Sequence, residues 1–309
     1  MKHTNKDNKQ YATVQNITDR INKERFFDSS KLSDSYTLLD YDEKKFSHGG
    51  IRLQGQFKSN DKKPLITIIT AVYNGDKYLE ETILSVLNQK YNNVELIIID
   101  GGSTDGTLRI LEKYNAQIDY WLSEPDKGIS DAFNKAILLA SGDYINFQGD
   151  GDGFYDTDVL EKLFAEKKHR SDLISGLIER IDENGKRLYV SKYTKKFNKR
   201  SLLTRMSLPH QGLFTSMDFF RTFGLFDITN KYCMDYEHLL RAYHDFPEVE
   251  TNNLIIAKWR ADGIGNNQEL KIFKEYHKIK VDNNVTNTIH LHALNIWTLT
   301  KYYIKKISL

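Results

Sequence analysis

A chain of 309 residues, 39% of them hydrophobic, can bury one large α/β core and still carry extensions. Lys+Arg 44 against Asp+Glu 42 leaves a formal net charge of +2, so no global basic field argues for nucleic acid as a partner. The single cysteine, Cys233, rules out an internal disulfide framework and a multi-cysteine zinc site, and suits a reducing compartment.

The start, Met1 to Gln10, is polar and lacks the apolar stretch of a secretory signal, which leads us to expect a cytoplasmic protein. Residues 1–63 read as an N-terminal extension, in which Tyr41 to Phe57 holds enough aromatic and glycine content for an irregular ordered arm. From Pro64 the pattern changes. Leu65 to Val72 reads as a buried strand, followed by the turn residues Asn74-Gly75-Asp76. Tyr78, Leu79, Thr82, Ile83, Val86 and Leu87 then recur at helical spacing. Val94 to Ile99, rich in β-branched residues, predicts a strand buried on both faces, with Asp100 where it leaves the sheet. Thr104 or Asp105 is placed to cap a second helix carrying Leu108, Leu111 and Tyr114. A third strand over Ile118–Leu122, a helix from about Ser130 to Ala140, and a fourth strand over Tyr144–Phe147 complete the alternation. Strands alternating with helices imply parallel βαβ units and a Rossmann-like half.

Beyond Asp152 the pattern loosens into mixed α and β. Leu173–Ile181 and Leu188–Tyr193 flank Asn184-Gly185, a strong hairpin signal. Arg200 to His210 reads as a basic loop, Met234 to Tyr243 as a helix and Leu254 to Trp259 as a strand. No internal repeat is visible.

Five segments carry a resemblance: Thr70-Ala71-Val72-Tyr73-Asn74-Gly75, Asp100 to Thr107 (DGGSTDGT), Ser123 to Gly128 (SEPDKG), the Asp150/Asp152 cluster and Met234-Asp235-Tyr236-Glu237. In this order and at these separations, residues 64–266 resemble a family 2 glycosyltransferase of the GT-A fold, similar to bacterial surface-polysaccharide enzymes. That implies an α/β fold with a Rossmann-like, mostly parallel nucleotide-binding half, a mixed acceptor-side region and, over residues 267–309, a C-terminal helical extension.

Asp100, at a strand end, is placed to accept from a pyrimidine N–H, with turn formation in the Gly-rich loop as the alternative role. The resemblance puts Ala71, Val72, Tyr73 and Gly102 around the donor as well, although Val72 also reads as core. Lys127 offers a point charge to a phosphate or a solvated surface group. Asp126 and Asp131 resemble donor-contacting positions, or else favour the N-terminus of the next helix. Asp150 and Asp152, one residue apart in a Gly-flanked loop, suit Mg²⁺ or Mn²⁺, hard ions that prefer oxygen. The family usually has two adjacent acids; Gly151 separates them here and leaves the principal ligand open between the two.

Activating a sugar hydroxyl needs a base. Asp235 matches the family's acid, with Glu237 as second choice, and His210-Gln211 resembles a loop near the acceptor. The resemblance therefore implies an inverting transfer from a nucleotide-sugar, a UDP-sugar first among the candidates, to a growing polysaccharide or lipid-linked oligosaccharide. Two other classes compete. A sugar-phosphate nucleotidyltransferase would carry a Gly-rich triphosphate loop after the first strand, which Thr70 to Asp76 is not; a non-catalytic glycan-binding relative would release no nucleoside diphosphate.

At the C-terminal end, Ile289, Ala293, Ile296, Trp297, Tyr303 and Ile304 give a helix an apolar side, and Lys301, Lys305 and Lys306 cluster near its end. Docking on the catalytic domain and interfacial membrane binding both suit this pattern, the first being the simpler. His290, His292, Asn295 and Thr298 argue against a spanning segment.

Overall fold

The computed structural model describes residues 47–59, 62–165, 171–261 and 268–307. The polar start, the first residues of the expected arm and the boundary at residue 266 lie outside the described residues.

Ten strands form one sheet among these residues. In chain order the first is β1 (Ser47–Gly49), followed by β2 (Ile66–Val72), α1 (Leu79–Leu87), β3 (Val94–Asp100), α2 (Thr107–Lys113), β4 (Tyr120–Ser123), α3 (Ile129–Leu139) and β5 (Tyr144–Phe147). Strands β4, β3, β2 and β5 are neighbours in that order and parallel throughout. This is the half that the alternating pattern announces. Its strands are buried on both sides: Ile66, Ile68, Leu96 and Ile98 join the core under α1 and α2, while Ile69, Ile97 and Ile99 join the core under α3. The two-residue alternation of a strand sends successive side chains to opposite faces, so a sheet covered by helices on both faces needs an unbroken apolar run.

Then come β6 (Gly153–Phe154), α4 (Val159–Phe164), β7 (Leu173–Ile181), β8 (Arg187–Val190), β9 (Leu213–Ser216), α5 (Met217–Phe223), α6 (Met234–Arg241), β10 (Val249–Arg260), α7 (Glu269–Asp282) and α8 (Thr288–Ile307). β9 lies antiparallel between β5 and β7, and β10 runs parallel to β7. The Asn-Gly hairpin forms as the antiparallel β7/β8 pair, with Gly185 at φ +78°, the left-handed conformation that favours glycine at such a turn.

Several boundaries differ from the sequence expectation. The third strand begins at Tyr120, not Ile118, because Ile118 N–H still donates to Tyr114 O in the turn that ends α2. The basic segment expected as a loop contains two 3₁₀ turns, Lys199–Leu203 and His210–Gly212, the first capped by the Asn198 side chain. Neither Thr104 nor Asp105 caps α2. Gly106 holds the cap position without a side-chain bond, and Asp105 Oδ1 accepts from Thr107 N at 2.9 Å instead.

The arm before β2 is built into the sheet. β1 pairs antiparallel with β4 at the sheet edge, and buried Arg52 donates to Leu139 O at 2.8 Å and pairs with buried Glu95 on β3.

Candidate active site

The carboxyl ends of β2, β3 and β5 deliver three loops to one edge of the sheet, as open α/β sheets do at ligand sites. Several hydrogen bonds stitch the first two together. Asn74 N donates to Ser103 Oγ (2.7 Å), Gly75 N to Thr107 Oγ1 (2.9 Å), Asp76 N to Asp105 Oδ2 (3.1 Å) and Thr104 N to Asn74 Oδ1 (2.9 Å). The polar DGGSTDGT run is therefore partly a scaffold: Asp105 and Thr107 hold the turn after β2 in place.

The acidic loop after β5 is tied to α1. Thr82 Oγ1 donates to Asp152 O at 2.7 Å and accepts from Gly151 N at 3.0 Å. Gly151 has φ +84°, and a Cβ there would stand 2.9 Å from Arg260 Cδ, so the residue between the two acids is confined to glycine by conformation and by space. Gly75 has the same close-approach role for Asp150: a Cβ would lie 2.6 Å from its Oδ2.

These loops open onto a cleft of about 1050 Å³. Its wall includes Ala71, Val72, Tyr73, Asp150, Asp152, His210, Gln211 and Asp235. Of the residues singled out in the sequence, these eight share one cavity. Asp100, Gly102, Asp126, Lys127 and Asp131 are not part of its wall; contacts among their own loops gather them instead. Asp100 is fully buried, with Oδ2 accepting from Ser123 Oγ (2.5 Å) and Ser103 N (3.0 Å). Gly101 comes so close to Asp126 that a Cβ would sit 2.6 Å from its Oδ2. Asp126 Oδ1 accepts from Gly128 N at 2.8 Å and Asp131 Oδ2 from Lys127 N at 3.1 Å, both at the start of α3. Both acids accept from backbone N–H groups of the turn that leads into α3, an arrangement consistent with the alternative role open to them from sequence.

Asp152 is buried and held from two sides, Oδ1 by Arg260 N (3.0 Å) and Oδ2 by Gln211 Nε2 (2.9 Å). Burial pushes its pKa up to about 7, against the opposing pull of those hydrogen bonds. Each oxygen still has lone-pair capacity beyond one accepted bond. A buried carboxylate short of positive charge, beside a second carboxylate at the cleft wall, is a donor set that fits a hard divalent cation. Among the described residues no group of three or more His, Cys, Asp or Glu forms such a set.

Asp235, at the start of α6 and also on the cleft wall, has Oδ2 3.8 Å from His210 Nδ1. His210 stacks on Phe147, with ring centroids 4.8 Å apart, and its Nε2 is buried with no hydrogen-bond partner among the described residues. Burial lowers its pKa and outweighs the attraction of Asp235, so the ring is held neutral. Glu237, two residues along α6, is buried, paired with Arg241, and absent from the cleft wall. That is the divergence of direction expected for positions i and i+2 on a helix.

The family model for glycosyl transferase family 2 matches residues 67–234, more than half of the chain. This chain belongs to glycosyl transferase family 2. An uncharacterized glycosyltransferase of Rickettsia typhi is 32% identical over 231 residues, 72% of this chain and 72% of that protein. The chondroitin synthase of Escherichia coli is 30% identical over 257 residues, which cover 79% of this chain and 37% of the synthase. Among solved structures, S. aureus TarS 1–349 in complex with UDP-GlcNAc superposes with a TM-score of 0.59 at 18% identity, over 77% of this chain and 72% of that one. The Pyrobaculum calidifontis mannosyltransferase PcManGT in complex with GDP-Man and Mn²⁺ gives 0.56 at 15% identity, over 79% and 74%. At these identities the structural likeness shows a shared GT-A fold.

Sequence reasoning missed part of this glycosyltransferase's site. Arg260, at the end of β10, lines the cleft, holds Asp152 through its N–H, stacks its guanidinium 4.1 Å from the Tyr78 ring and reaches Glu81 Oε2 at 2.6 Å. A cation directly after the expected strand Leu254–Trp259 was the available signal. The inner faces of α7 and α8 also supply wall residues, Phe273, Tyr276, Asn295 and Thr298 among them. Nothing in the local sequence marks those positions.

Proposed function

We propose that this glycosyltransferase is a metal-dependent, inverting enzyme that moves a sugar from a UDP-sugar to a glycan or lipid-linked oligosaccharide acceptor in bacterial surface-polysaccharide synthesis. One observation carries the reading: Asp150, Asp152 and Asp235 line a single cleft. Two structural neighbours, in complex with UDP-GlcNAc and with GDP-Man and Mn²⁺, support a nucleotide-sugar and a divalent ion.

In this reading Ala71, Val72 and Tyr73 border the base, and Asp100 accepts from its imide while Gly102, Asp126, Lys127 and Asp131 complete the donor loops. Asp150 and Asp152 would hold Mg²⁺ or Mn²⁺, with Asp150 at the cleft wall as the principal ligand; when bound, such an ion supplies positive charge against which a diphosphate departs. Asp235 accepts the proton of the acceptor hydroxyl as its oxygen bonds to the anomeric carbon. The bond from that carbon to the diphosphate breaks on the opposite face, leaving protonated Asp235, the inverted glycoside and a nucleoside diphosphate. His210, neutral and beside Asp235, orients that carboxylate.

A panel of nucleotide-sugars assayed for nucleoside diphosphate release with Mn²⁺, Mg²⁺ or chelator tests the proposal. A UDP-sugar turned over with metal and not with chelator is the expected result. Turnover that is unchanged in chelator removes the metal, and preference for another nucleotide removes the UDP assignment.

A further inference from the structure

Helix α8 is amphipathic in the reverse sense for a surface helix. Leu291 is buried and Leu294 packs on the core formed with α6 and α7, while Tyr302 packs edge-on against Phe273 of α7. The opposite side carries the large apolar residues. Ile289 is 84% exposed, Ile296 66%, Ile304 59% and Ile307 85%, with Trp297 and Tyr303 exposed between them. At 100° per residue these six fall within an arc of roughly 120°, the width of a normal core-facing stripe. Six exposed large apolar residues in one stripe are not the scatter of single hydrophobics found on any surface.

We propose that the outward face of α8 docks the enzyme on an anionic membrane surface, lying in the interface without crossing it. No helix among the described residues is long and apolar enough to span a bilayer. Charge decides between a lipid surface and a second copy of the chain. From Asn283 to Leu309 there is no acidic residue, and Lys301, Lys305 and Lys306 are present. Lys301 stacks 3.7 Å from the Trp297 ring, beside the stripe. In a two-fold contact the same patch would meet itself and set Lys301 and Lys306 against their own copies with no acid on the helix to offset them. Anionic headgroups offset them directly, and Trp and Tyr favour the headgroup boundary, where an apolar ring and a polar tip are both accommodated. Asn295 and Thr298 on the other side of the same helix line the cleft. Docking therefore holds the cleft about one helix diameter from the bilayer, within the region where, on the reading proposed above, a lipid-linked acceptor would be presented.

The test is co-sedimentation of the full chain with vesicles of phosphatidylcholine alone and of phosphatidylcholine mixed with phosphatidylglycerol. Binding to the mixed vesicles, weakened by salt and largely absent from the neutral ones, is expected. Ile296→Glu and Ile304→Glu should each reduce it by about tenfold or more, since each removes a buried aliphatic side chain from the interface. Lys301→Glu should abolish the preference for anionic lipid. These side chains are exposed, so an unchanged thermal midpoint is expected and confirms that the fold is intact. Failure of the full chain to bind mixed vesicles overturns the proposal. So does a dimer in sedimentation equilibrium that Ile296→Glu dissociates, because the stripe would then be a contact between copies.

Discussion

Gln211 donates its side-chain amide to Asp152 Oδ2 at 2.9 Å, joining the acceptor-side turn to the acidic loop behind β5. The same turn carries His210, whose Nδ1 lies 3.8 Å from Asp235 Oδ2. Asn146 and Gln148 reinforce it by donating to Gln211 O at 3.0 and 3.1 Å. Removing the amide with Gln211→Ala leaves a buried carboxylate one hydrogen bond short, a loss of about 1.5–3 kcal/mol for a bond to a charged group. We expect lower stability in urea and a raised Mn²⁺ requirement; a variant with wild-type values in both would detach Gln211 from the site.

Asp150→Asn and Asp152→Asn keep shape and remove charge. Both should fold and lose most metal-dependent turnover. Turnover with Mn²⁺ equal to the wild type in both variants would sink the assignment.

Asp235→Asn should lower transfer to acceptor by ~10²–10⁴-fold, the usual contribution of a positioned base, while nucleotide affinity by calorimetry stays near the wild-type value. Glu237→Gln is the control. It breaks the pairing with Arg241 on the far side of α6 and should cost stability more than turnover. An active Asp235→Asn beside a dead, folded Glu237→Gln would move the base two residues along the helix.

Asp100→Ala should weaken binding of the free nucleoside diphosphate by about 1–3 kcal/mol if its carboxylate accepts from the base. Because Ser103 and Ser123 also donate to that carboxylate, Ser123→Ala serves as the control for the structural share. Equal affinity in Asp100→Ala and wild type would assign Asp100 to the loop alone.

His238 is buried against Phe220 and Phe226 and bonds Gly224 O at 2.8 Å. Burial, with Arg241 adding to it, lowers its pKa to about 3 from 6.5. The unfolded chain therefore binds a proton between those values that the folded one refuses, so stability is full above 6.5 and falls as pH drops towards 3, at up to about 1.4 kcal/mol per unit. Urea midpoints should show His238→Gln losing about 1–2 kcal/mol less than the wild type between about pH 7 and about pH 5. Parallel pH profiles would show that another group carries the acid sensitivity.

Arg52 and Glu95 form a buried ion pair between the N-terminal arm and β3; burial pushes the Glu95 carboxyl up, yet Arg52 and the hydroxyls of Ser141 and Thr67 bring it below its ordinary range. Arg52→Ala should cost about 3–5 kcal/mol by stranding that charge, read as a drop in the urea midpoint. Arg52→Met with Glu95→Gln should recover part of it. A midpoint unchanged by Arg52→Ala would mean that the arm contributes nothing to the sheet.

The parallel half was written locally. Ile66–Val72 and Val94–Asp100 need no partner information to read as strands, because a β-branched run buried on both faces has one stable solution, and the acid that follows each turn must then emerge at the sheet's carboxyl edge. The family motifs at Asp100, Asp150 and Asp235 were legible for the same reason: each sits at the junction of a short run and a turn. The division of labour among those acids was not. Asp105, Asp126 and Asp131 have the same chemistry as Asp150, yet they close turns and helix starts, because their carboxylates lie within reach of backbone N–H groups of their own segments. The convergence of Arg260 on Asp152, 108 residues apart, and the cleft wall from α7 and α8 arise only when β10 pairs beside β7 and the C-terminal helices pack on α6. Long-range packing, not local propensity, sets those contacts. It also decided which side of α8 is buried, since an apolar stripe in sequence does not say whether it faces the protein or away from it.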